Sequence, residues 1–216
     1  MISMKSIVIL LLLPLCQSAF GQGTVNFVNN VTGVFRSYIY GIDPGNPFLV
    51  KRGQSPEDTP AGTVVYGGAK LAGTGYTVQL WWYNGTTTDP SMLSLAQNAT
   101  SSFRTGAAAG IWTGTTAILP GQPGGPGTHI TAEVRVWDNQ GGTINDWESA
   151  RQRIVTGVQM NTSGLFGIDN IGGGTTTTPN LINLQSFELY PIPEPSSVPL
   201  CSAAGLCLLF LRRRYK

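Results

Sequence analysis

The side chains able to do chemistry are few, and several fall in one stretch. Asp138, Asp146 and Glu148 stand near one another, and paired carboxylates can share acid and base roles on a glycosidic bond. Their positions favour a local task instead. Asp138 opens a turn and Asp146 a helix, places where an acid accepts backbone N–H groups. His129 is the single histidine, and no Gly-x-Ser-x-Gly accompanies it, so a serine triad lacks its nucleophile elbow. One His, with Cys only at positions 16, 201 and 207, is too little for an ordinary zinc site. Asp138, Asn139 and Asp146 gather hard oxygen ligands of the calcium type without the EF-hand spacing. No catalytic residue, metal or cofactor is assigned, and the chain is not expected to be an enzyme.

The stronger signal is aromatic. In Thr77-Val78-Gln79-Leu80-Trp81-Trp82-Tyr83, strand alternation sends Val78, Leu80 and Trp82 to one face and Thr77, Gln79, Trp81 and Tyr83 to the other. In Ile130–Trp137 it sends Ile130, Ala132, Val134 and Val136 inward, and Thr131, Glu133, Arg135 and Trp137 outward. If the two strands are neighbours, Trp81, Tyr83 and Trp137 make an aromatic platform suited to stacking on sugar rings. Exposed aromatic patches of that kind mark interaction sites.

The elements that would hold these residues are short runs of β-branched and aromatic residues between Gly, Pro and Asn clusters. Strands are expected at Thr24–Asn29, Phe35–Tyr40, Thr63–Tyr66, Thr77–Tyr83, Ser101–Thr105, Thr115–Leu119, Ile130–Trp137, Ile154–Gln159 and Leu184–Tyr190. Helix is expected only from Asp89-Pro90 through Gln97 and over Asp146–Gln152, the latter capped by Asp146 with Glu148 in its first turn. The sum is a mainly β domain, a β-sandwich with jelly-roll-like connections. Pro120–Gly127 reads as a surface connection, Asp43–Pro60 as a long irregular excursion, and Gly172–Pro179 as a low-complexity segment.

Both ends carry export chemistry. Lys5, the apolar run Ile7–Leu15 and the small-x-small Ala19-Phe20-Gly21 form a secretory signal peptide over residues 1–21. Between this segment and Pro195 lie 8 Lys and Arg against 11 Asp and Glu, a net charge of −3. The positive charge of the whole chain therefore belongs to its ends, and no basic patch argues for nucleic acid. The same stretch holds no cysteine, so in an oxidising compartment it relies on an apolar core.

At the other end, Pro193-Glu194-Pro195 precedes an apolar run, Val198–Leu211, and a basic tail, Arg212-Arg213-Arg214-Tyr215-Lys216. The run spans roughly 21 Å as a helix, short of the ~30 Å bilayer core. Its flank decides: a cluster of Arg and Lys resists crossing and marks the cytoplasmic side. The two prolines hold Glu194 in extended chain, a form that a processing enzyme can thread.

This order resembles the PEP-CTERM sorting signal of exported bacterial proteins, here over residues 191–216. Further similarity to a recurrent PEP-CTERM ectodomain lies in Thr24-Val25-Asn26-Phe27, Phe103-Arg104-Thr105-Gly106, Val134-Arg135-Val136-Trp137-Asp138 and Leu184-Gln185-Ser186-Phe187. The resemblance implies recognition by an exosortase at Pro193, Glu194 and Pro195, with Arg212, Arg213, Arg214 and Lys216 as stop-transfer charges. It implies signal peptidase and the general secretion machinery as earlier partners, and the inner membrane as a transient anchor. The mature ectodomain, residues 22–190, would then stand at the cell surface or in the extracellular matrix. A structural or adhesive role with extracellular polysaccharide is expected, with a carbohydrate-binding module on the aromatic platform as the alternative and an extracellular hydrolase behind both.

Overall fold

Alternation of apolar and polar side chains is longest in the segments that become β5 (Tyr76–Asn84) and β8 (His129–Asp138), and these form the middle of the sheet. The computed structural model describes residues 22–152 and 158–191. β5 and β8 run antiparallel in unbroken register from Tyr76 opposite Asp138 to Asn84 opposite Ile130. Val78, Leu80 and Trp82 thus share the inner face with Val136, Val134 and Ala132. Trp81 stands opposite Glu133, and Gln79 opposite Arg135, on the outer face.

Around this pair, β1 (Gln22–Phe27), β6 (Ser94–Ser102), β7 (Thr115–Pro123), β9 (Gln159–Thr162), β10 (Phe166–Asp169) and β12 (Tyr190–Pro191) complete an eight-stranded sheet. Its order is β1-β7-β6-β5-β8-β9-β12, with β10 beside the first half of β8 and β9 beside the second. All the pairings in it are antiparallel. The chain is mainly β, with a single α-helix among the described residues, α1 (Trp147–Gln152). Asp146 Oδ1 accepts from the Ser149 N–H at 2.8 Å, so the expected cap is formed.

The inner face is closed by less regular chain. A hairpin of β2 (Asn30–Val31) with β3 (Phe35–Arg36), and a parallel pair of β4 (Ile39–Tyr40) with β11 (Phe187–Glu188), are its ordered parts. Phe35, Ile39, Leu71, Phe103, Trp112, Ile171, Leu181, Leu184, Phe187 and Leu189 pack on the sheet from these segments. Buried chain without a ladder must satisfy its polar groups by other means. Asn29 does so by donating to the Ser37 and Gly110 carbonyls and accepting from the Trp112 N–H. Asp58 accepts from the Tyr38 N–H, the Ser186 hydroxyl and the Ser55 N–H.

Several expected elements differ. The Phe35–Tyr40 strand is split, because Ser37 donates to Asn29 and Tyr38 to Asp58 where ladder partners would stand. Thr63–Tyr66 forms no strand. The helix expected from Asp89 to Gln97 is one 3-10 turn, Pro90–Met92, capped by Asp89. Ser94 and Leu95 pair instead with Trp82 and Trp81, and the strand expected at Ser101–Thr105 begins at Ser94. Local helix signal yields here to an open strand edge. β6 carries a bulge with Asn98 at φ 55°, where the pairing on β5 jumps from Thr100 to Leu95.

Residues 120–123, expected in a surface loop, continue β7, and Pro123 pairs with Gln22 of β1 across a shift in register. Gly124 lies so close to residue 172 that a Cβ would collide with the Gly172 carbonyl oxygen. The Leu184–Tyr190 strand is present as two short pieces, β11 and β12, in different sheets. The first part of the Ile154–Gln159 strand, the signal peptide, and the sorting segment from Pro193 onward lie outside the described residues.

Candidate functional site

The outer face of β8 is not the solvated surface that its polar residues imply. Thr131, Glu133 and Arg135 are buried and Trp137 is 0% exposed. α1 covers this end, and a second core forms from Trp137, Ile144, Trp147, Ala150, Val158 and Met160, with Trp81 half-buried against it. Trp137 and Trp147 meet edge to face at 6.1 Å, and the Trp137 Nε1–H donates to the Ile144 carbonyl at 3.0 Å.

The three-residue aromatic platform is therefore not built. Register places Trp137 opposite Thr77, while Trp81 and Tyr83 stand opposite Glu133 and Thr131 further along β5. Trp137 is sealed beneath α1, and Trp81 and Tyr83 are half-buried. An amphipathic helix lying over the sheet turned one expected contact residue into core.

Beside this second core is a groove of about 340 Å³, lined by Pro90, Ser91, Glu133, Arg135, Trp147, Glu148, Arg151 and Thr162. Its floor is an ion pair on one strand face: Arg135 Nε donates to Glu133 Oε2 at 2.7 Å, with side chains 7% and 4% exposed. The guanidinium lies 4.1 Å from the Trp81 ring centre and 5.3 Å from that of Trp147. Arg135 Nη2 also donates to the Pro90 carbonyl at 2.9 Å. Strand, 3-10 turn, indole and carboxylate thus fix one cation from several sides. On the rim, Arg151 Nε donates to Glu148 Oε2 at 3.1 Å, both exposed.

Of the acids expected near one another, Glu148 reaches this groove and the others are spent locally. Asp138 accepts from the backbone and side chain of Gln140. Asp146 accepts from the Ser149 hydroxyl and N–H, and these bonds, the hydroxyl first, hold its carboxyl below the ordinary aspartate range. Asn139 donates to the Thr74 carbonyl and the Thr77 hydroxyl, and its amide oxygen accepts from Gly142. The calcium-type set is engaged in turns, and among the described residues no group of three or more His, Cys, Asp or Glu converges on a metal position. His129, at the opposite end of β8, pairs through Nδ1 with Asp169 Oδ1 at 2.6 Å.

Glu133 and Arg135 are the groove residues that sequence reasoning passed over as solvated. A signal was present: opposite charges two apart on a strand face that ends in Trp, facing a second Trp on the expected neighbour. Pro193, Glu194, Pro195, Arg212, Arg213, Arg214 and Lys216 lie outside the described residues.

No family model, curated protein or solved structure matches this chain.

Proposed function

We propose that the chain is an exported, exosortase-processed cell-surface or extracellular-matrix protein of structural or adhesive type, associated with extracellular polysaccharide and without catalytic activity. The observation that carries this is the order at the C-terminus: Pro193-Glu194-Pro195, then the apolar Val198–Leu211, then Arg212–Arg214 and Lys216, on a chain that also carries Lys5, the apolar Ile7–Leu15 and Ala19-Phe20-Gly21. The precursor is held in the inner membrane by the apolar run with the basic tail inside, and release follows cleavage near Pro-Glu-Pro. The partners are signal peptidase, the secretion machinery and the exosortase.

Two features of the body support this reading. β1 and β12 are the opposite edges of the large sheet, so processing before Gln22 or after Pro191 need not draw a strand from its middle. The body also holds no thiol to misoxidise outside the cytoplasm. We read its architecture as a β-sandwich, with the eight-stranded sheet as one layer and the β4·β11 pair with its irregular neighbours as the other.

Intact-mass measurement on the protein from cells with and without the exosortase tests the proposal. Loss of the segment beyond Pro195 only when the enzyme is present is the expected result. A surface form that keeps residues 196–216 beside an active exosortase overturns it.

A further inference from the structure

We propose that the groove between β8, α1 and the Pro90 turn binds a neutral, hydroxyl-rich saccharide, with Glu133 and Arg135 as the groups that read it. This deepens the adhesive reading above and rests on it only for the source of the sugar.

A buried ion pair is a poor device for stability, since desolvation consumes most of the attraction and an apolar pair of like volume serves as well. Among the described residues no donor reaches Glu133 Oε1 and no acceptor reaches Arg135 Nη1. Both residues line the groove. A carboxylate oxygen beside a guanidinium N–H is matched, in exchange for water, by a ligand that donates and accepts at adjacent atoms. Vicinal hydroxyls do both.

Charge narrows the class further. Glu133 and Glu148 repel an anion, while Arg135 and Arg151 repel a cation, so the lining is balanced and a neutral ligand loses nothing to either sign. Trp147 and Pro90 give apolar surface for the C–H face of a sugar ring, and Ser91 and Thr162 add hydroxyls at the rim. The volume of about 340 Å³ is within the range of small-ligand sites. Arg135 is already clamped by Trp81, Trp147, Glu133 and Pro90, so little freedom remains to be lost on binding.

The test is calorimetric titration of the chain purified from cells with neutral gluco-, manno- and galacto-oligosaccharides, and with an oligogalacturonate as the anionic control. At least one neutral series binds and perturbs tryptophan fluorescence. Glu133→Gln, which keeps the shape and the contact to Arg135, weakens it about tenfold or more. Arg151→Ala, on an exposed rim side chain that the fold does not need, weakens it about threefold. Should Glu133→Gln fail to fold, Arg151→Ala with Ser91→Ala decides alone. Absence of binding to every neutral series, binding unchanged in these variants, or preference for the oligogalacturonate overturns the proposal. None of those results alters the intact mass, so failure of this site is distinguishable from failure of the export reading.

Discussion

On the inner face of β8, Ile130, Ala132, Val134 and Val136 are fully buried in a continuous apolar core. On its outer face, one residue out of step, Thr131, Glu133, Arg135 and Trp137 are buried almost as deeply, but the materials change from polar through charged to aromatic. The inner set needs only shape, because apolar burial is non-directional. The outer set needs partners with direction: the Ile144 carbonyl for Trp137, Glu133 and Pro90 for Arg135. The inner face holds the sheet to the less regular chain that closes it. The outer face holds one short helix and one groove, whose floor is the Glu133–Arg135 pair.

Four measurements break or sharpen this contrast. The largest effect is expected for Trp137→Ala, which empties the second core, leaves the Ile144 carbonyl without its donor and costs about 3–5 kcal/mol in urea unfolding. Leu80→Ala on the inner face costs a similar amount, about 2–5 kcal/mol. Only Trp137→Ala should also abolish the near-UV circular dichroism of the Trp137–Trp147 pair.

Next is Glu133→Leu, which strands the Arg135 charge and costs roughly 3 kcal/mol. Adding Arg135→Met restores stability to within about 1 kcal/mol of the parent or above it, while removing the groove's polar floor. A double variant as unstable as the single one would make the pair a structural device and erase the difference between the faces.

Two smaller effects depend on pH. Burial pushes the Glu188 carboxyl above its usual value, against the backbone bond from Lys51, and its Oε2 has no partner. A carboxyl raised by folding contributes most below the ordinary glutamate pKa of about 4.3, and that contribution is lost as pH rises through the folded value. Glu188→Gln is therefore expected to gain melting temperature on the parent between acid and neutral pH, and a constant difference would refute the assignment.

Asp146 has the opposite sign. Its carboxyl is lowered by Ser149, so its cap is fully present above the ordinary aspartate pKa of about 3.9 and lost as pH falls through the lowered folded value. Asp146→Ala should thus be less stable at neutral pH, by the smallest margin in the series, and match the parent in acid. A deficit in thermal melts that persists at the acid end would mean that Asp146 acts through packing.

Much of this was legible from local pattern. The period of two in Thr77–Tyr83 and Ile130–Trp137 set both strands and their inner faces, because a one-residue slip would expose Val78, Leu80, Val134 and Val136 together. Asp146 with Glu148 marked the helix. What failed depended on distant partners. The Asp89–Gln97 segment reads as helix until Trp81 and Trp82 offer it an edge, and Pro120–Pro123 reads as loop until Gln22 pairs with Pro123.

The residue types alone determined that the body is β-rich, thiol-free and acidic, since these are properties of composition and spacing. That neither side of β8 faces water was decided only by tertiary structure. Alternation tells two faces apart but not what covers each, and a six-residue helix laid over the polar face buried Trp137 and turned Glu133 and Arg135 from surface charges into the floor of a groove.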